Sequence, residues 1–243
     1  MAKPTLFISD LHLCADRPAI TELFLKFLQN DARRAQALYI LGDLFEYWIG
    51  DEAATLDEHR PTIEALRALA ESGVPTQIIP GNRDFLLGAD FARASGCPVL
   101  PDPTCIDLYG TPVLLMHGDS LCTRDVEYMA FRKMVRERRW QREFLDKPYA
   151  EREAIARRYR EISKETTSQK KPEIMDVTQG AVEEIMRTHR IRHLIHGHTH
   201  RPAEHVFNLD GASAYRTVLG DWYEQGSVLR VTPTSRTLES LPL

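Results

Sequence analysis

Short, wholly apolar runs alternate along the chain with stretches whose apolar residues recur at helical spacing. Leu6-Phe7-Ile8 leads into Ser9-Asp10-Leu11-His12, and Leu38-Tyr39-Ile40-Leu41 into Gly42-Asp43. Gln77-Ile78-Ile79-Pro80 leads into Gly81-Asn82-Arg83-Asp84, and Val113-Leu114-Leu115-Met116 into His117-Gly118-Asp119. His193-Leu194-Ile195 leads into His196-Gly197-His198-Thr199-His200. Runs of this length, bounded by glycine and polar residues, predict buried strands. Ile20, Leu23, Phe24, Phe27 and Leu28 predict one amphipathic helix, and Ile63, Leu66, Leu69 and Ala70 another. The alternation predicts an α/β fold, in which ligands gather at the carboxyl ends of strands, where all five polar clusters fall. Ala214 to Leu219 and Ser227 to Val231 alternate like strands of an antiparallel edge.

Between the fourth and fifth clusters the pattern changes. From Arg132 to Lys171 there are fourteen Lys or Arg against seven Asp or Glu, so this stretch carries +7 and the rest of the chain −11 within a total of −4. Ile155, Tyr159 and Ile162 form one helical stripe, and Phe131, Met134, Val135, Trp140, Phe144 and Leu145 add apolar surface. Pro148 is expected to separate two helices. A solvated helical hairpin and a cap with basic groups facing an anionic substrate fit this composition equally well. The expectation is a single domain over 1–243 with a helical lid insertion at about 127–171.

At 243 residues, 43% hydrophobic and 27% charged, the composition is that of a globular protein able to bury a core. The acidic total gives no global basic field for nucleic acid. The start, Met1-Ala2-Lys3-Pro4-Thr5, lacks the apolar region of a signal peptide. No apolar run approaches the roughly 20 residues needed to span a bilayer, and a cytoplasmic protein is expected. Cys14, Cys97, Cys105 and Cys122 lack CxxC spacing and are expected to be reduced thiols.

Histidine, carboxylate and amide donors after five separate strands can converge at one sheet edge, which single weak motifs would not predict. Two divalent ions need a shared anionic bridge, and Asp43 can supply it. Asp10 and His12, two apart on a strand end, can bind one ion; Asn82 offers an amide oxygen, and His117, His198 and His200 imidazole nitrogens. Oxygen and nitrogen donors without thiolate disfavour structural zinc and favour Mn²⁺, Fe²⁺ or a related ion.

Asp10-Leu11-His12, Gly42-Asp43, Gly81-Asn82, His117-Gly118-Asp119 and Gly197-His198-Thr199-His200 resemble the signature of the calcineurin-like metallophosphoesterases, in that family's order. The resemblance implies a four-layer α/β/β/α sandwich. It places Asp10, His12, Asp43 and His200 on one ion, and Asp43, Asn82, His117 and His198 on the other. Two such cations can bind one water and lower its pKa, giving hydroxide near neutral pH. Many members carry a histidine after the asparagine. Here Arg83 stands there, which can neutralise phosphate oxygens but cannot donate a proton.

Gly81 to Leu86, Tyr39 to Glu46, Leu194 to Ala203, Met116 to Thr123 and Ile174 to Val177 look like the branch of that family acting on a nucleotide-linked lipid. The similarity runs from Thr5 to about Val231. That branch cleaves UDP-2,3-diacylglucosamine at the α-phosphorus, giving UMP and 2,3-diacylglucosamine 1-phosphate (lipid X) in lipid A biosynthesis. The resemblance implies a catalytic set of Asp43, Asn82, Arg83 and His198. It implies substrate contacts at Asn82, Arg83, Asp125, Ser163, Lys170 and His198, with Thr167 at a position that is usually asparagine. It implies two divalent ions, Mn²⁺ foremost. A mixed-sign amphipathic lid near an anionic, lipid-bearing substrate leads to the expectation of peripheral attachment to the cytoplasmic face of the inner membrane. Asp84 is expected either to orient His117 or to serve as a turn residue. The rival readings are another dinuclear metallophosphoesterase, such as a nuclease or phosphodiesterase, and a non-catalytic protein-binding scaffold.

Overall fold

The apolar runs form strands because both of their faces are covered. The structure, a computed structural model, describes residues 2–171 and 173–243, with the side chains of 167–169 outside that description. One sheet has the order β10 (Ser235–Leu241), β9 (Gly226–Thr232), β1 (Thr5–Ile8), β2 (Ala37–Leu41), β3 (Thr76–Ile79). The other runs β4 (Thr104–Leu108), β5 (Thr111–Met116), β6 (His193–His196), β8 (Ala212–Val218), β7 (Ala203–Leu209). β1, β2 and β3 are parallel to one another, as are β5, β6 and β8.

Alternation along each strand assigns its side chains to two cores. Phe7, Leu41 and Ile79 of the first sheet meet Val113, Leu115 and Ile195 of the second in a core between the sheets. Leu6, Ile8, Leu38 and Ile40 point the other way, into a core shared with α1 (Pro18–Gln29), α2 (Arg60–Glu71) and α3 (Ala89–Ser95). Leu114, Met116 and Leu194 face Val182 and Met186 of α7 (Gln179–His189). The result is four layers, α/β/β/α. Pro18 opens α1, where its missing N–H is harmless, and Gly96 closes α3 in the left-handed region at φ 72°.

One expectation about the edges is corrected. The stretches at Ala214–Leu219 and Ser227–Val231 do not form one antiparallel edge. β8 lies between β6 and β7 in one sheet, and β9 between β1 and β10 in the other. β7 carries Glu204, His205 and Asn208, which mask its periodicity, and it pairs with β8 across the left-handed Asp210-Gly211 turn (φ 50° and 83°).

The basic segment holds three helices, not two: α4 (Val126–Val135), α5 (Arg138–Leu145) and α6 (Tyr149–Gln169). Asp125 caps α4 by accepting the Tyr128 N–H at 3.1 Å. Among the described residues no helix is long and apolar enough to cross a membrane.

Candidate metal centre and adjoining cavity

Strands β1, β2, β3, β5 and β6 bring their carboxyl ends to one place, and the loops that follow are tightly constrained. Asp10, His12, Asp43, His198 and His200 all have positive φ, between 49° and 69°. For a residue with a Cβ this costs roughly 1–2 kcal/mol each, and it persists only where surrounding bonds over-determine the backbone. Those bonds are present: the Asp10 N–H donates to Gly42 O at 3.0 Å, and the His12 N–H to Asp43 O at 2.9 Å. Two motif glycines make the approach possible. A Cβ on Gly81 would fall onto the Asp43 carboxylate and amide, and one on Gly197 onto Asp10 and Ser9.

The seven donors converge, and all but His200, Asn82 and His198 are buried to within 2% exposure. His12 Nε2 and His200 Nε2 face each other at 3.4 Å, and His200 Nε2 lies 3.4 Å from Asp10 Oδ1. Asp43 spans the centre, with Oδ2 3.8 Å from His12 Nε2 and Oδ1 3.7 Å from His117 Nε2. Asn82 Oδ1 lies 2.9 Å from both His117 Nε2 and His198 Nδ1. Two compact groups of donors result, Asp10 with His12 and His200, and Asp10 with Asp43 and His117. Asp10 is thus common to both groups, a closer sharing than the ligand pattern implied by resemblance.

These donors fit two divalent ions. Asp10 Oδ1 is buried and lacks a hydrogen-bond partner among the described residues. Its other oxygen is occupied by Ser9 Oγ at 2.6 Å and the His198 N–H at 2.8 Å. His117 Nδ1 donates to Leu41 O at 2.9 Å, which fixes the ring with Nε2 turned inward to the centre. His200 Nδ1 meets Asp221 at 3.5 Å in the same manner.

The electrostatics follow. Burial alone would push the His117 imidazole down, but Asp43, Asp10, Asp119 and the Leu41 carbonyl raise it to about 9. Burial and the neighbouring His117 push His198 down to about 4. Burial opposes ionisation of Asp10, yet His200, His117 and His12 hold it well below the usual carboxylate range. A buried anion surrounded by imidazoles is a site built for cations.

Asp84 is a turn residue, its carbonyl accepting the Leu87 N–H at 3.0 Å, and its side chain does more than that. Its carboxylate accepts the N–H groups of Gly81 at 2.7 Å, Leu44 at 2.7 Å and Asp43 at 3.2 Å, so it ties the second polar loop to the third. Burial and the adjacent Asp43 raise it to about 6. His117 is oriented by Leu41 instead.

A cavity of about 480 Å³ opens beside the donors, walled by Asn82 and Arg83 at one end. Asp125, Ser163 and Lys170 also line it, with Lys170 Nζ 2.7 Å from Asp125 Oδ1. Thr167 lies outside the residues whose side chains are described. Phe85, Phe131, Trp140, Phe144, Tyr159 and Ile162 give the cavity an apolar wall. Arg83 Nε is buried and has no hydrogen-bond partner among the described residues. Its N–H on the backbone donates to Asp43 Oδ1 at 2.8 Å.

Sequence patterns gave no role to several residues here. Tyr128 donates to Asp119 Oδ2 at 2.6 Å and stacks over His198 at 6.0 Å, and Arg132 holds the same oxygen at 2.7 Å. Arg136 donates to Gly81 O at 2.9 Å. Helical spacing of 128, 132 and 136 was the available signal, one polar face of α4 laid on the site.

Comparison with known proteins adds the following. Residues 3–202 match the model of the family described as calcineurin-like phosphoesterase. A Stenotrophomonas maltophilia protein named UDP-2,3-diacylglucosamine hydrolase is 50% identical over 244 residues, covering 98% of both chains. Proteins of the same name from Escherichia coli and Pseudomonas aeruginosa are 52% and 51% identical, each covering 98% of this chain and 99% of their own. A solved archaeal phosphodiesterase superposes with a TM-score of 0.50 at 10% identity, covering 98% of this chain and 99% of that one. At that identity the likeness concerns the fold alone.

Proposed function

The chain belongs to the calcineurin-like phosphoesterase family, and on that premise we propose that it hydrolyses the diphosphate of UDP-2,3-diacylglucosamine. Attack at the α-phosphorus gives UMP and 2,3-diacylglucosamine 1-phosphate (lipid X), a step of lipid A biosynthesis. The observation that carries this reading is the junction at Arg83, where a cradle of metal donors opens directly into an apolar-walled cavity. A phosphoester at the cradle with acyl chains along the aromatic wall is the substrate shape that junction accepts.

Two divalent ions, which we assign as Mn²⁺, supply when bound a water of lowered pKa and positive charge beside the phosphate. Asp10, His12, Asp43 and His200 would hold one, and Asp43, Asn82, His117 and His198 the other. The two oxygens of Asp43 face histidines of the two sets, so its carboxylate would serve both positions. Arg83 presents an always-charged guanidinium to the non-bridging phosphate oxygens, and Asn82 and His198 add polar contacts there. The group that departs is the phosphate of lipid X, a phosphate leaving group that does not need a strong proton donor, which suits arginine at this position. Asp125, Ser163 and Lys170 orient the glucosamine and phosphate end.

The three helices of the basic segment act as a lid on a single domain, over about 127–171. Val126, Met134, Leu145 and Ile162 are exposed there amid net positive charge. This supports peripheral attachment to the cytoplasmic face of the inner membrane, where the lipid substrate resides. The test is turnover of UDP-2,3-diacylglucosamine in the presence of Mn²⁺, reading UMP and lipid X. Single-stranded DNA and a phosphopeptide serve as rivals. Faster turnover of either rival would overturn the assignment.

A further inference from the structure

A metal-facing imidazole is held by whatever its second ring nitrogen bonds to. Leu41 O does this for His117 and Asp221 for His200. For His12 the partner is Glu46. His12 Nδ1 lies 3.4 Å from Glu46 Oε2; both atoms are buried, neither has a hydrogen-bond partner among the described residues, and Arg17 Nη2 stands 3.9 Å from the same oxygen. The loops bearing them are zipped together: the Leu13 N–H donates to Leu44 O at 2.9 Å and the Glu46 N–H to Leu13 O at 3.1 Å. Tyr223 stacks on the His12 ring at 5.3 Å and 11°, so Glu46 holds the ring's edge and Tyr223 its face.

The second carboxylate oxygen of Glu46 is engaged from elsewhere. Oε1 accepts from the guanidinium of Arg160, on α6 of the basic segment. Both Glu46 and Arg160 line the cavity. One carboxylate therefore touches a metal-site histidine with one oxygen and a cavity-wall helix with the other.

We propose that Glu46 is a positioning residue that holds His12 with Nε2 turned to the metal centre, and that Arg160 makes this hold depend on the seating of α6. The inference rests on the two-metal reading above. Its consequence is a linkage: whatever seats α6 against the cavity tightens the His12 metal position, and metal there favours the seated helix by the same factor.

The full-length chain, stripped of metal by chelation, is titrated with Mn²⁺ while electron paramagnetic resonance follows the free ion. The unaltered chain should bind two ions. Glu46→Ala should weaken one of the two sites by about 10–100-fold, with the other site as internal control. Glu46→Gln, which keeps an oxygen facing Nδ1, should recover most of that loss. Arg160 is partly exposed, so Arg160→Ala tests the relay without threatening the core. It should weaken the same site about 3–10-fold and add nothing in the Glu46→Ala background. Two sites of unchanged affinity in folded Glu46→Ala would overturn the proposal. So would an Arg160→Ala effect of equal size with and without Glu46. Fewer than two sites in the unaltered chain would defeat the two-metal reading instead.

Discussion

The loops at the strand ends and the helices over 126–169 meet at Arg83, yet they achieve specificity in opposite ways. The loops hold polar atoms by strain and backbone hydrogen bonds. Five donor residues sit at positive φ, and Asp84 alone satisfies three amides. Such a cradle has little freedom to reorganise, which is what positioned charge requires. The helices present aromatic and aliphatic side chains to a cavity and leave Val126 74% and Ile162 49% exposed. Their contribution is shape and apolar surface, which tolerates substitution gradually. The metal donors thus sit where the backbone is tightly constrained, and the apolar surface lies on the helices beside them.

The comparison predicts a hierarchy of effects. Asp43→Ala removes the carboxylate between His12 and His117, and turnover should fall on the order of 10³-fold or more with loss of bound metal. Parallel assays of metal content and UMP release check this, and full activity would remove the cradle from the mechanism. Arg83→Ala should lower kcat/KM about 10²–10³-fold while both ions stay bound. An unchanged rate would make Arg83 a structural residue of the junction.

On the helical side, Phe131→Ala and Trp140→Ala should each cost about 10–100-fold in kcat/KM on the lipid substrate. Hydrolysis of a small chromogenic phosphodiester should hardly change. Equal losses on both substrates would erase the division of labour between the two regions.

The smallest effect on turnover concerns acid stability of the body. Burial pushes His59, packed against Phe45 and Trp48, down to about 4 from the usual value near 6.5. Below pH 6.5 the unfolded chain takes up a proton that the folded chain refuses until about pH 4. The contribution of His59 is therefore full above pH 6.5 and is lost through that window, on the order of 3 kcal/mol. Denaturant melts of His59→Phe should show a flatter pH dependence there. An unchanged slope would move acid sensitivity back to the metal cradle.

Much of the cradle was legible in the chain itself. Asp10, His12, Asp43, Asn82, His117, His198 and His200 each follow an apolar run, and several stand beside a glycine that lets backbones approach closely. Donor chemistry and a strand-end location are local properties, so local sequence reports them. A layered α/β arrangement was legible to the same extent, because runs apolar on both faces demand cover on both, whereas the four-layer order came only with the family resemblance. The parts that only tertiary structure decided are non-local. β8 and β9 joined different sheets because pairing depends on which faces remain open, not on the strands' own alternation. Asp84 bonds an amide 40 residues away, and Glu46, beside His12, meets Arg160 across 114 positions. A carboxylate's partners are set by where the chain returns, and no periodicity in the sequence records that.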